Sequence, residues 1–176
     1  IGQAFMVGGD FIGKSSCALI LGDNIFYRDS IQSLLSKSVR NLSGATIFAY
    51  HVSDPKRFGI VNFDKKDKPI SIEEKPKKPK SSYAVPGLYF YDNTVKKIAS
   101  KISPSNRGEI EITDINREYL KMKKLKVVKL GRGMAWLDVG MPDSLLDASS
   151  FIRTIEKRQG LQIANLDEIA KSLKFI

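Results

Sequence analysis

The sequence predicts an α/β fold, a mixed sheet flanked by helices, on three observations. Cys17-Ala18-Leu19-Ile20-Leu21 is an unbroken apolar run of strand length, the pattern of a strand buried on both faces. Ile31, Leu34, Leu35, Val39 and Leu42 then recur at helical spacing across residues 29–42. Residues 45–52 return to strand-favouring side chains, Ala-Thr-Ile-Phe-Ala-Tyr-His-Val. Strand, helix and strand in that order suggest a parallel crossover. With 176 residues, 42% hydrophobic, the chain is long enough for one sizeable core, and it reads as a single domain over 1–176 with small helices appended.

Local chemistry supports each element. Asp29 or Ser30 can cap the first helix, and Ser43-Gly44 ends it. After Asp54-Pro55, Val61-Asn62-Phe63-Asp64 and Ile70-Ser71-Ile72-Glu73 alternate like paired strands around a lysine-rich tip, a hairpin. Pro86 interrupts the run 83–92, which predicts a bulge, an edge or a loop there. Helices are expected over 94–102 and 110–122, with Ile112, Ile115, Tyr119 and Leu120 on the apolar face of the second. Residues 124–130 alternate like a strand. Pro142 suits a helix's first turn, Leu145, Ala148, Ile152 and Ile155 form its stripe, and Gly160 ends it; residues 166–173 form a last amphipathic piece.

Composition narrows the function. Lysine and arginine number 29 against 19 aspartates and glutamates, a net charge of +10, which suits polyanionic substrates, nucleic acid or a lysine-rich surface. No aromatic residues interleave with the lysine clusters at 65–68 and 75–80, so a nucleic-acid role is disfavoured. No apolar run reaches the ~20 residues that cross a bilayer. No secretory leader is visible at Ile1-Gly2-Gln3-Ala4-Phe5, and the one cysteine, Cys17, can form no intrachain disulfide, which fits a cytoplasmic location.

Two acidic motifs stand out, Leu21-Gly22-Asp23-Asn24 and Trp136-Leu137-Asp138-Val139-Gly140. Each sets a carboxylate beside a glycine after apolar residues, as at the end of a buried strand where a ligand can approach. Two such aspartates facing one cleft would suit Mg2+ carrying phosphates; the spacing alone fits two unrelated turn aspartates equally well. His51, the one histidine, has no partner signal and is given no catalytic role.

Taken in order, the motifs resemble a known family. Leu21-Gly22-Asp23-Asn24-Ile25-Phe26-Tyr27, Phe58-Gly59-Ile60-Val61, Ser71-Ile72-Glu73-Glu74-Lys75-Pro76, Tyr83-Ala84-Val85 with Gly87 to Asp92, Arg107-Gly108-Glu109-Ile110-Glu111-Ile112-Thr113-Asp114, Leu130-Gly131-Arg132-Gly133 and Trp136-Leu137-Asp138 follow one another as in the sugar-phosphate nucleotidyltransferases of the glucose-1-phosphate thymidylyltransferase type. The resemblance implies a Rossmann-like mixed sheet of the nucleotide-diphospho-sugar transferase type. It implies a reaction in which dTTP and glucose 1-phosphate give dTDP-glucose and pyrophosphate, for deoxysugar or rhamnose synthesis. It also implies Mg2+ as cofactor and a homo-oligomer, a tetramer in the family.

The resemblance carries roles residue by residue. Asp23 and Asp138 match the metal aspartates. Lys75 matches the lysine that grips the sugar phosphate, and Arg107 would add a planar fork to the same group. Glu74 matches the carboxylate that takes sugar hydroxyls, Gly59 and Val85 set backbone against the hexose, Tyr89 flanks the phosphate, and Asn24 contacts the ligand beside the metal.

Some features depart from the family. Its glycine-rich nucleotide loop is not found among these 176 residues, so the fold is expected to be truncated on the N-terminal side, with an exposed sheet edge, and the chain alone is expected to show little transfer activity. A non-catalytic sugar-phosphate-binding chain, or a uridylyl- or adenylyl-specific relative, are the competing readings. Phe58 stands for the more usual tyrosine, Pro86 for threonine, and Met141-Pro142 for a threonine-histidine pair. Ser172 stands where the family's regulatory nucleotide site has an arginine, although Glu168 and Ile169 persist.

Overall fold

The structure is a computed structural model that describes every residue except Ser30 and Asn41. Two compact units divide it, residues 1–136 and 137–176. In the first, chain order runs α1 (Ala4–Val7), α2 (Gly9–Ile12), β1 (Cys17–Ile20), β2 (Asn24–Tyr27), α3 (Ile31–Val39), β3 (Ala45–His51), a 3-10 turn (Pro55–Arg57), β4 (Gly59–Phe63), β5 (Pro69–Glu74), β6 (Tyr83–Ala84), β7 (Leu88–Tyr91), α4 (Val95–Ala99), α5 (Ile112–Lys121) and β8 (Leu125–Leu130). β9 (Ala135–Asp138) leads on to the second unit, which holds α6 (Pro142–Gln159) and α7 (Leu166–Ser172).

Among the described residues seven strands form one sheet in the order β1-β7-β3-β6-β4-β5, with β8 alongside β3, and β2 and β9 make a separate two-stranded sheet. The mixed α/β class is as the sequence predicts. One detail differs. β1 and β3 run parallel but are not neighbours, because β7 lies between them and pairs antiparallel with both. The parallel pair is instead β3 with β8, reached through α4 and α5.

β3 shows why the sheet is buried. Ala45, Ile47 and Ala49 face one side and Thr46, Phe48 and Tyr50 the other, as the two-residue period of a strand requires. On the first side Ile47, Tyr89 and Tyr91 pack with Phe5, Val95, Ile115 and Tyr119. On the second, Phe48, Leu88, Phe90, Leu130 and Met134 pack with Ile31, Leu34 and Leu35 of α3. Helices thus cover both faces, and one polar bond is sealed inside, from the Tyr91 hydroxyl to Asn116 Oδ1 at 2.6 Å.

β1 corrects the expectation of a strand buried on both faces. It is an edge strand whose Ala18 and Ile20 point outward, Ile20 being 59% exposed. An apolar run cannot by itself distinguish an edge from a centre. The hairpin forms as expected: the Asp64 carboxylate accepts the Lys66 and Lys68 amides, and Asp67 takes the left-handed turn position. Pro86 marks a loop between β6 and β7. α3 and α5 are shorter than predicted, α5 opening only at Ile112 because Glu111 is extended. Of the two cap candidates for α3, Ser30 lies outside the described residues. α1, α2 and β2 were not anticipated.

In the second unit α6 closes on Gly160 at φ 68°, and the Asn165 side chain caps α7 by accepting the Glu168 amide. No helix of the described residues is long and apolar enough to cross a membrane.

Candidate functional site

The site is built at the end of β1. Leu21 carbonyl accepts the Asn24 amide at 3.1 Å, closing a turn that carries Gly22 and Asp23 outward. Asn24 then holds that turn in place. Its Oδ1 accepts the Gly87 amide at 2.9 Å and the Trp136 indole N–H at 2.7 Å, while its Nδ2 donates to Asp23 Oδ1 at 2.8 Å. Two donors on Oδ1 fix which way the amide faces. Asn24, expected to touch a ligand, is here a clamp on Asp23.

Gly59, Glu74 and Val85 come together through the sheet. Gly59 opens β4 directly opposite Glu74 at the end of β5, and its carbonyl accepts the Val85 amide at 2.8 Å. A side chain cannot be added to this position freely. A Cβ on Gly59 would lie 3.2 Å from Thr113 Oγ1 and 3.3 Å from Glu74 Oε2. The Thr113 hydroxyl donates to Glu74 Oε2 at 2.5 Å, which leaves Oε1 facing Arg107 at 3.9 Å. Glu74 is therefore aimed by one partner and keeps an oxygen for another.

Arg107 does not hold its fork open. Its Nε and NH2 grip Glu111 at 2.9 to 3.2 Å, and Ser105 Oγ donates to the same carboxylate at 2.7 Å. Burial would push the Glu111 carboxyl up, but the bonds from Ser105 and Arg107 outweigh it and hold it below the ordinary glutamate range. The guanidinium of Arg107 is correspondingly pushed up by that carboxylate. NH1 makes no hydrogen bond or ion pair among the described residues, and the side chain is half exposed.

Tyr89 links the two ends of the site. It is 3% exposed, its ring stacks on Tyr91 at 6.2 Å, and its hydroxyl has no hydrogen-bond partner among the described residues. Burial pushes its pKa up, and so do the charges of Glu74 and Asp23, which places both carboxylates within electrostatic reach of one phenol. Lys75 follows Glu74 on the surface. Its φ is +40°, in the left-handed region, immediately before Pro76, and its amide donates to Phe58 carbonyl at 3.1 Å. Asp138 ends β9 in the second unit, half buried.

The Asp23 carboxylate is a hard oxygen donor of the kind that divalent cations take. Asp23 is an exposed carboxylate with one oxygen committed to Asn24, and no three His, Cys, Asp or Glu side chains gather into a cage among the described residues. Mg2+ sites take one or two carboxylates and fill the rest with water and substrate oxygens. Sequence reasoning missed Thr113, Ser105 and Glu111 as orienting groups and gave Trp136 no role. Their signal lay only in being next to the motifs.

The chain belongs to the nucleotidyl transferase family, whose model matches residues 1–155. It is 54% identical over all 176 residues to a glucose-1-phosphate thymidylyltransferase of Mycolicibacterium smegmatis, covering 61% of that protein. It is 51% identical over 170 residues to the Neisseria meningitidis enzyme of the same name, covering 97% of this chain and 59% of the other. The chain thus spans about 60% of the length of these relatives. Among solved structures, a UDP-glucose pyrophosphorylase complexed with UDP-glucose superposes with a TM-score of 0.78 at 21% identity, over 88% of this chain and 62% of that one, a likeness of fold alone.

Proposed function

We propose that this chain carries the sugar-phosphate-binding part of a glucose-1-phosphate thymidylyltransferase, acting in the cytoplasm as part of a homotetramer. The observation that carries the reading is the convergence of the Gly59 and Val85 backbones, the half-committed Glu74 carboxylate and the unpartnered Tyr89 hydroxyl. Such groups suit a hexose phosphate, whose hydroxyls need acceptors and whose phosphate needs donors. The names of the relatives supply the sugar and the nucleotide.

In this reading a phosphate oxygen of glucose 1-phosphate attacks the α-phosphorus of dTTP. The new O–P bond forms as the bond to the bridging oxygen of pyrophosphate breaks. Lys75 holds the sugar phosphate as a point charge, and Arg107, kept in place by Glu111, offers NH1 to the same group. Glu74 Oε1 accepts sugar hydroxyls, with Thr113 fixing the other oxygen. Asp23 would hold Mg2+, which would supply positive charge to the nucleotide phosphates, and Asp138 is the second metal aspartate that the resemblance implies. Most of the acceleration comes from positioning and charge neutralisation.

Calorimetry with glucose 1-phosphate tests the reading. Binding that weakens about tenfold or more in Lys75→Ala, the loss of one charge-assisted contact, is the expected result. An affinity unchanged in both Lys75→Ala and Glu74→Gln would overturn it. The 176-residue chain, which spans about 60% of its relatives' length, should alone form little dTDP-glucose from dTTP; efficient turnover would refute that.

A further inference from the structure

A cavity lies at the end of the sheet where β3 begins. It has a volume of about 190 Å³ and is lined by Ser38, Arg40, Thr46, Lys123, Lys124 and Lys126 among others, with no carboxylate among its lining residues. Asp23 follows the Ile20 end of β1, which pairs with Leu88; Thr46 pairs with Phe90, near the Tyr91 end of β7. The cavity is therefore separate from the proposed sugar-phosphate site.

Its floor is polar and its rim cationic. Thr46 is 2% exposed, and its hydroxyl has no hydrogen-bond partner among the described residues. Among the described residues only Asn62 Oδ1 is a fully buried side-chain polar atom without a partner, so the Thr46 hydroxyl, which lines the cavity, keeps its accessible surface there. Ser38, 4% exposed, donates to Leu34 carbonyl at 2.8 Å and keeps its own lone pairs free.

The fold brings the cations here deliberately. Lys123, at φ 56°, ends α5 in the left-handed conformation, and the Lys123 and Lys124 amides return to the Leu120 and Tyr119 carbonyls, both at 2.9 Å. Lys124 carbonyl then accepts the Ala45 amide at 2.9 Å, and Lys126 stands opposite Thr46 in the parallel pair. None of Arg40, Lys123, Lys124 and Lys126 is ion-paired among the described residues. The C-terminal end of α3 contributes a partial negative charge of roughly half a unit, which four full positive charges outweigh.

We propose that this cavity is a binding site for a small phosphate anion, free or as the terminal phosphoryl group of a metabolite. Thr46 donates its hydroxyl proton to a phosphate oxygen at the floor, and the four cations neutralise the anion from the rim. The gathered charges, costly when unoccupied, favour occupation.

The test uses amide NMR shifts and calorimetry on the 176-residue chain in a Lys75→Ala background, which removes a phosphate contact from the proposed reaction site. Inorganic phosphate should shift the amides of Ser38, Thr46 and Lys126. Thr46→Val, isosteric and suited to a strand, should weaken phosphate about tenfold, and Arg40→Glu by more. Methyl phosphate distinguishes the sources: equal binding points to an esterified phosphoryl group, weaker binding to the free anion. Phosphate that leaves the Ser38, Thr46 and Lys126 shifts unchanged, or binds equally to wild type and Thr46→Val, overturns the proposal. Should Arg40→Glu fail to fold, the shifts and Thr46→Val still decide. Because glucose 1-phosphate binding is read at Lys75 and Glu74, the two proposals fail separately.

Discussion

Asn24 holds Asp23 from the side: its Nδ2 donates to Asp23 Oδ1 at 2.8 Å while its Oδ1 is itself pinned by Gly87 and Trp136. The orientation of an exposed carboxylate thus rests on a network tied to two distant segments. Replacing Asn24 by Leu strands the Gly87 amide and the Trp136 indole and should destabilise the fold by about 2–3 kcal/mol in urea unfolding. Asn24→Asp keeps an acceptor for the Gly87 amide and the Trp136 indole but loses the donor to Asp23, and should cost less stability than Asn24→Leu. An equal loss in the two variants would contradict the clamp.

Gly59→Ala tests the close approach of Thr113 and Glu74. The added methyl would sit 3.2 Å from one and 3.3 Å from the other, so Glu74 must shift by a few tenths of an ångström. The expected outcome is a stability loss near 1 kcal/mol with a larger, severalfold loss of glucose 1-phosphate affinity. A loss of stability with affinity intact would remove Gly59 from the site.

Lys75→Gly separates strain from charge. At φ +40° a glycine relieves a conformational cost of about 1 kcal/mol, so thermal stability should hold or rise. Sugar-phosphate binding should nevertheless fall about tenfold as the ammonium is lost. Stability that drops sharply would mean that the lysine side chain supports the fold.

Asp92 contributes to acid stability in the first unit. Its carboxylate accepts from Gly44, Thr94 and Tyr119, and although burial opposes ionisation these bonds hold its pKa below the ordinary aspartate range. A depressed folded pKa stabilises above the unfolded value, about 3.9, and that contribution is lost as pH falls through the folded value. Asp92→Ala should therefore cost about 2 kcal/mol at pH 7 and flatten the fall in stability between pH 4 and lower pH, read by urea melts at several pH values. A parallel fall in variant and wild type would exclude the linkage.

Much of the fold was legible because its signals are local. The hairpin around Asp64 and Asp67, the Pro142 start and Gly160 end of α6, and the break at Pro86 all depend on residues within a few positions of one another. The outer faces of β1 were not legible. Whether Ala18 and Ile20 meet another strand depends on neighbours distant in sequence.

The sequence by itself determined the family and the mixed α/β class, because the ordered motifs around Asp23, Glu74 and Trp136 are legible whatever the fold does with their residues. Only the tertiary structure decided how they are held. Thr113 reaches Glu74 across 39 positions and Trp136 reaches Asn24 across 112, through strand pairings that no local pattern encodes. Hydrogen bonds act over about 3 Å, so an orienting partner becomes visible only once the chain has folded back on itself.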